Sequence, residues 1–298
     1  MTNYAGAIRI GWLAEQRLPW ADLLEVTQQV ERLGFDSVWL SDHLTDERGR
    51  WFLDPWTALG AVLSCVPRIE AGTLVASSSL RPPLLTAQMA RTLSGIGPDR
   101  FVLGLGTGGS QEEHERAGVA FGDLDRRVAA LRETCMLVRD SVATSSPWSS
   151  TRDGAAVAHA PIPLLVGGGG SAVLRVAAQY ADRWTIWGTP RHLAEKGATL
   201  SAFARDAGRR PEDIARGAIV MILPHHLPLR EHSEPWPAEL RGGETEIRRQ
   251  LAEYAAAGVG EIVVCDFGVQ PEHRLAALEW FASVVDSDRR LARPGVPS

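Results

Sequence analysis

Short apolar runs alternate with amphipathic helical patterns along the whole chain. The first run, Ile8-Arg9-Ile10-Gly11-Trp12-Leu13, reads as a strand. A helix opens at Pro19 near Trp20, carries Leu23, Leu24, Val26, Val30 and Leu33 on one face, and closes at Gly34. The next strands are Asp36 to Ser41, Ile69 to Ala76, Phe101 to Leu105, Pro163 to Val166, Arg183 to Trp187, Ala218 to Leu223 and Glu261 to Cys265. Between them, helices are predicted from Asp54-Pro55 to about Cys65, from Pro82-Pro83 through Leu93, and from about Asp123 to Val142. Later ones start near Ser171 and run over His192 to Ala207, Glu244 to Ala257 and Glu272 to Val285. Ala143 to Ala160 and Pro224 to Gly243 read as loops, and the tail from Arg293 as frayed.

Eight strands alternating with eight helices define the α/β class. The strands are apolar on both faces, as in a covered parallel sheet. The count of eight predicts one closed (β/α)₈ TIM barrel, a single domain over residues 1–298. Composition narrows the function. A hydrophobic fraction of 45% permits a large core, and a net charge of −5 argues against nucleic acid as partner. No apolar run approaches a membrane span, and Met1 to Gly6 lack the pattern of a signal peptide. Cys65, Cys135 and Cys265 match no metal or redox spacing and read as small buried hydrophobes in a reduced cytoplasmic setting. Lys196 is the only lysine.

In such a barrel the chemistry sits at the C-terminal ends of the strands. That rule selects Ser41-Asp42-His43, Ala76 to Ser79, Gly106 to Gly109, Gly167 to Gly170 after Val166, and Trp187-Gly188. The four-glycine run lies between a strand and a helix beginning at Ser171. Its glycines let the backbone approach a ligand, and the first-turn N–H groups attract an anion such as phosphate. A flexible turn without ligand is the alternative. Gly104 to Gly109 contains GxGxxG, yet three strands precede it and a polar segment follows, which is poor context for a Rossmann site. His43 beside Asp42 can exchange a proton near neutral pH, or simply fix its loop. Trp51-Phe52 is a candidate wall for an apolar pocket, with loop packing as the alternative. Trp39, Trp56, Trp184 and Trp187 also sit at strand ends or nearby. His225, His226 and His232 lack ligand spacing and read as a solvated loop, with no metal site; His114, His159, His192 and His273 have no context that singles them out.

Taken in order, Phe35 to His43, Arg100 to Gly108, Pro163 to Gly170 and Ala181 to Trp184 resemble the luciferase-like monooxygenase superfamily, and within it the branch that uses the deazaflavin coenzyme F-420. The resemblance implies a barrel with Asp42 and His43 near the deazaflavin ring. Leu74-Val75 then falls where the family has a bulge in strand three, often with a non-proline cis peptide. Gly106, Thr107 and Gly108 would flank the ring, and Gly167, Gly168, Gly169, Gly170 and Ser171 would bind the phosphate. Ala76, Val166 and Trp187 complete the cofactor-binding candidates. The sugar-phosphate dehydrogenases of the branch carry an acid directly after GTG. Here that position is Gly109, so their reaction does not carry over. The implied activity is hydride transfer between reduced coenzyme F-420 and a small-molecule organic substrate, reducing a C=C or C=N bond with His43 as proton donor. An FMN-dependent monooxygenase fed by a separate reductase is the alternative, and a non-catalytic flavin-binding protein a third. Relatives imply a homodimer.

Overall fold

The computed structural model describes residues 8–45, 49–140, 151–152, 155–156, 161–231 and 236–292. Eight strands form the barrel: β1 (Arg9–Leu13), β2 (Ser37–Leu40), β3 (Glu70–Thr73), β4 (Phe101–Gly106), β5 (Leu164–Gly167), β6 (Arg183–Trp187), β7 (Ala215–Pro224) and β8 (Glu261–Cys265). Each pairs in parallel with the next, and β8 pairs with β1, for instance Ile10 with Ile262, so the eight strands close on themselves. Around it lie α1 (Trp20–Arg32), α2 (Pro55–Cys65), α3 (Pro83–Ile96), α4 (Gln111–Arg116), α5 (Leu124–Asp140), α6 (Ser171–Tyr180), α7 (Pro190–Asp206), α8 (Glu244–Ala256) and α9 (Arg274–Ala292). This is the predicted (β/α)₈ barrel. Among the described residues no helix is long and apolar enough to cross a membrane.

Local chemistry explains the helix starts. The Asp54 carboxylate accepts from the Thr57 N–H at 2.8 Å and Pro55 occupies the first turn of α2. Thr189 and Pro190 open α7 in the same way. Alternate strand positions face inward, where Leu13, Trp39, Val102, Leu165, Met221 and Val263 fill the barrel. The other positions, among them Leu40, Leu103, Leu164 and Val264, face the helices and form the larger core. At the strand N-termini, Arg9 and Arg183 pair with Glu70, and Ser37 donates to Glu261 at 2.7 Å. Burial pushes the Glu261 carboxyl above its ordinary value, against the pull of Arg183 and Arg9. This plug closes the end of the barrel remote from the candidate site.

Several details differ from the sequence expectation. Strand three stops at Thr73, and the chain resumes pairing only at Ala76–Ser77, alongside Leu105 and Gly106. Strand seven is longer than expected at both ends. The loop after it contains a further short strand, Glu239–Gly242, parallel to β7. Helix α4 was not expected. Cys135 and Cys265 are buried, but Cys65 is exposed. The inward face of α2 is set by Leu59, Val62 and Leu63, which leaves Ser64 and Cys65 pointing outward. Burial pushes the Cys135 thiol up to about 12. Most of the loop expected from Ala143 to Ala160, residue His159, the tail and His232 lie outside the described residues.

Candidate active site

At the C-terminal ends of the strands a cavity of about 430 Å³ opens into the barrel mouth. Of the residues expected there, Asp42, His43, Leu74, Val75, Gly106, Thr107, Gly108, Gly167, Gly168, Gly169 and Trp187 line it. Gly170 and Ser171 stand exposed at its outer rim, where α6 begins. Ala76 and Val166 are buried in the strand layer and do not line it. The Leu74–Val75 peptide is cis, the bond type expected at this bulge.

The floor is packed so closely that only glycine fits. A Cβ on Gly106 would lie 2.6 Å from Val75 Cγ2, and one on Gly167 would lie 2.8 Å from Val75 Cγ1. The bulged Val75 therefore forms one surface against two bare backbones, a flat wall suited to a ring. Asp42 is buried beside it. Its carboxylate accepts from Arg81 in bidentate fashion, at 2.6 and 3.1 Å, and from the Ser77 N–H at 3.0 Å. Arg81 in turn covers the Trp56 ring. Asp42 thus ties the end of β2 to the segment after β3.

No acid stands at Gly109, but one reaches the site from α4. Glu113 Oε2 accepts from His43 Nδ1 at 3.0 Å, and Glu113 Oε1 accepts from the Leu44 N–H at 2.7 Å. The carboxylate assigns the proton to Nδ1 and leaves Nε2 of the imidazole, which is 55% exposed, to exchange protons with a bound molecule. Next to Glu113, the buried His114 donates from Nδ1 to the Ser110 carbonyl at 2.7 Å and meets Ser79 Oγ through Nε2 at 2.8 Å. Glu113, His114 and Arg81 escaped the sequence reading, whereas Ser79 lies in the segment selected after strand three. A signal for α4 existed: Ser110-Gln111-Glu112-Glu113 is a capping-box pattern, and Ser110 Oγ does accept from the Glu113 N–H at 3.2 Å.

The glycine run carries the features of an anion site. Helix α6 has no side-chain cap, so its first-turn N–H groups are open toward Gly167 to Ser171. A Cβ on Gly170 would meet nothing within 4 Å. The side chain of Lys196 passes by, with Cε 3.7 Å from where a Gly169 Cβ would sit. Thr185 Oγ1, on the cavity wall, is a buried hydroxyl without a hydrogen-bond partner. Open donors, a nearby ammonium and an orphaned hydroxyl fit a phosphate-bearing cofactor with a flat ring.

A second cavity of about 990 Å³ adjoins the first and shares His43, Leu74, Ser110, Glu113 and Trp187 with it. Phe52 lines it, but Trp51 is 77% exposed and lines neither cavity. Glu15 on its wall is held by Arg17 and Arg274. Burial pushes the Glu15 carboxyl up, but the hydrogen bonds and charge of Arg17, with Arg274, outweigh it and hold the carboxyl below its ordinary value of 4.5. A lowered folded value means that the stability from these ion pairs is full above the unfolded value. It is lost as pH falls through the folded one. On acidification below pH 4.5, wild-type protein is expected to lose more melting temperature than Glu15→Gln; parallel losses would contradict the coupling. Among the described residues no cluster of His, Cys, Asp and Glu is arranged to hold a metal ion. His225 and His226 are exposed, with His226 against Trp280.

The family described as luciferase-like monooxygenase matches residues 7–227, and the chain belongs to that family. An F-420-dependent glucose-6-phosphate dehydrogenase of Beutenbergia cavernae is 31% identical over 251 residues, covering 78% of this chain and 73% of that protein. One of Intrasporangium calvum is 33% identical over 189 residues, which span only 56% of its own length and 59% of this chain. Among solved structures, an F-420-dependent secondary alcohol dehydrogenase in complex with an F-420–acetone adduct superposes with a TM-score of 0.77 at 18% identity. That match covers 94% of this chain and 99% of the other. At that identity the likeness establishes the barrel.

Proposed function

We propose that the protein is a coenzyme F-420-dependent oxidoreductase that reduces a C=C or C=N bond of a small organic substrate. The observation that carries this reading is the His43–Glu113 pair, set at the junction of a flat-floored cavity and a larger one, opposite an open helix N-terminus. The names of the relatives support the choice of cofactor.

Gly167 to Ser171 and Lys196 would hold the cofactor's phosphate, and Val75 with Gly106 and Gly167 would support its ring. When bound, the deazaflavin supplies or accepts a hydride. The chain's own residues do the rest. Glu113 fixes the His43 tautomer, and His43 Nε2 delivers or takes the proton that accompanies the hydride. Asp42, locked by Arg81 and Ser77, keeps the end of β2 and the bulge after β3 in register.

The phosphate site has a test with two opposed readouts. In Gly170→Asp the new carboxylate sits at a favourable N-cap position, at ordinary backbone angles (φ −72°, ψ 143°) and in open space. It is expected to raise stability by up to about 1 kcal/mol. The same carboxylate competes with phosphate for the N–H groups and should weaken F-420 binding by roughly tenfold or more. Unchanged cofactor affinity would remove the phosphate from this loop. The reaction class is tested anaerobically: reduced F-420 should be oxidised by substrate without oxygen. Turnover that needs both reduced FMN and oxygen would identify a monooxygenase instead.

A further inference from the structure

The second cavity presents a guanidinium, that of Arg230, which the chemistry at His43 does not use. Beyond the ends of β1 and β8, Arg17, Arg230 and Arg274 converge on two acids, Glu15 and Asp266. Both acids are engaged. Arg17 clasps Glu15, Arg274 bridges Asp266 and Glu15, and Trp12 Nε1 donates to Asp266 at 3.1 Å. Among the described residues, the half-buried Arg230 side chain has no hydrogen bond or close ion pair. Burial, with the charges of Arg274 and Arg17, pushes the Arg230 guanidinium below its ordinary value, while Glu15 and Asp266 pull the other way. The wider lining also carries Arg50 and Arg116 beside Glu112, Glu113 and Glu231, so what stands out is not net charge but Arg230, the guanidinium of this group without a close partner. It stands on a wall that also presents Trp187, Trp236 and Phe267.

From this we infer that the second cavity binds substrates with a flat, apolar body and a single carboxylate, and that Arg230 receives the carboxylate. The inference rests on the first cavity being the cofactor's. A guanidinium matches a carboxylate in two parallel hydrogen bonds, and the aromatic walls suit a planar body. A phosphate dianion fits poorly: it would meet one unpaired cation with Glu15 and Asp266 behind it and the exposed Glu231 at the rim. Because the two cavities share His43 and Trp187, a molecule anchored at Arg230 extends toward the proton-transfer pair.

Tryptophan fluorescence reads this binding without cofactor or turnover, since Trp187 and Trp236 line the cavity. The full-length protein is titrated at neutral pH with trans-cinnamate, its neutral isostere trans-cinnamamide, and phenyl phosphate. Cinnamate is expected to bind about tenfold or more tightly than either. Arg230→Met should erase that advantage and leave cinnamamide unchanged, while Arg230→Lys, which keeps the charge but not the fork, retains part of it. The inference is overturned if cinnamate fails to bind or binds no better than cinnamamide. It is equally overturned if phenyl phosphate binds best, or if both variants bind cinnamate like wild type. A separate F-420 titration of the same proteins keeps the two claims apart. Loss of F-420 binding with cinnamate selectivity intact would sink the cofactor reading alone. Intact F-420 binding without cinnamate selectivity would sink the carboxylate site alone.

Discussion

His43→Ala is expected to lower kcat by about 10²- to 10⁴-fold for any substrate the wild type turns over, the range spanned by a positioned proton donor. Its F-420 affinity should stay within a few-fold, because the proposed ring site is built from Val75 and the two glycines packed against it, not from His43. The vacated position is 55% exposed, so added imidazole can enter and should restore part of the rate. Glu113→Gln keeps the shape but exchanges a charge-assisted hydrogen bond for a neutral one. It should cost about 10- to 100-fold in kcat, in line with the roughly 1.5–3 kcal/mol of such a bond. If His43→Ala retained full turnover, proton delivery would have to come from elsewhere, and the buried His114 would be the next residue to replace.

Arg81→Met should be the most destabilising single change at the site, by about 3–5 kcal/mol in chemical denaturation. Asp42 is 5% exposed and loses both guanidinium bonds, leaving a buried carboxylate with only the Ser77 N–H. The cation–π contact with Trp56 goes too, worth about 0.5–1 kcal/mol. Adding Asp42→Asn should recover most of the loss, since the neutral amide needs no counter-charge. A loss below about 1 kcal/mol would mean that water reaches Asp42 and that the pair does not organise the floor.

The parts of this protein that were legible in the sequence are local ones. A strand, four glycines and a helix start at Ser171 are consecutive, so the glycine loop leading into an uncapped helix could be read directly. The alternation of strand and helix signals gave the barrel, because each element satisfies its own pattern before it packs. The His43–Glu113 pair was not legible in this way. Its partners are 70 residues apart, and α4 is too short and too polar to show an apolar face. The glycine at position 109 was plain in the chain, but it did not reveal that Glu113 reaches His43. Arg81 was hidden for a similar reason: its meaning depends on Asp42, which lies on another strand end. Trp51 and Cys65 misled because residue type alone suggests burial, whereas position on the element decides it. The interruption of β3 at Leu74–Val75 has no signature in residue pattern and came only through family resemblance.

Titration of the purified protein with coenzyme F-420 and with FMN, followed by fluorescence, tests the central claim most directly. F-420 should saturate a single site with a Kd on the order of micromolar, and FMN should bind at least about a hundredfold more weakly. Tight FMN binding without measurable affinity for F-420 would contradict the assignment of this barrel to the deazaflavin.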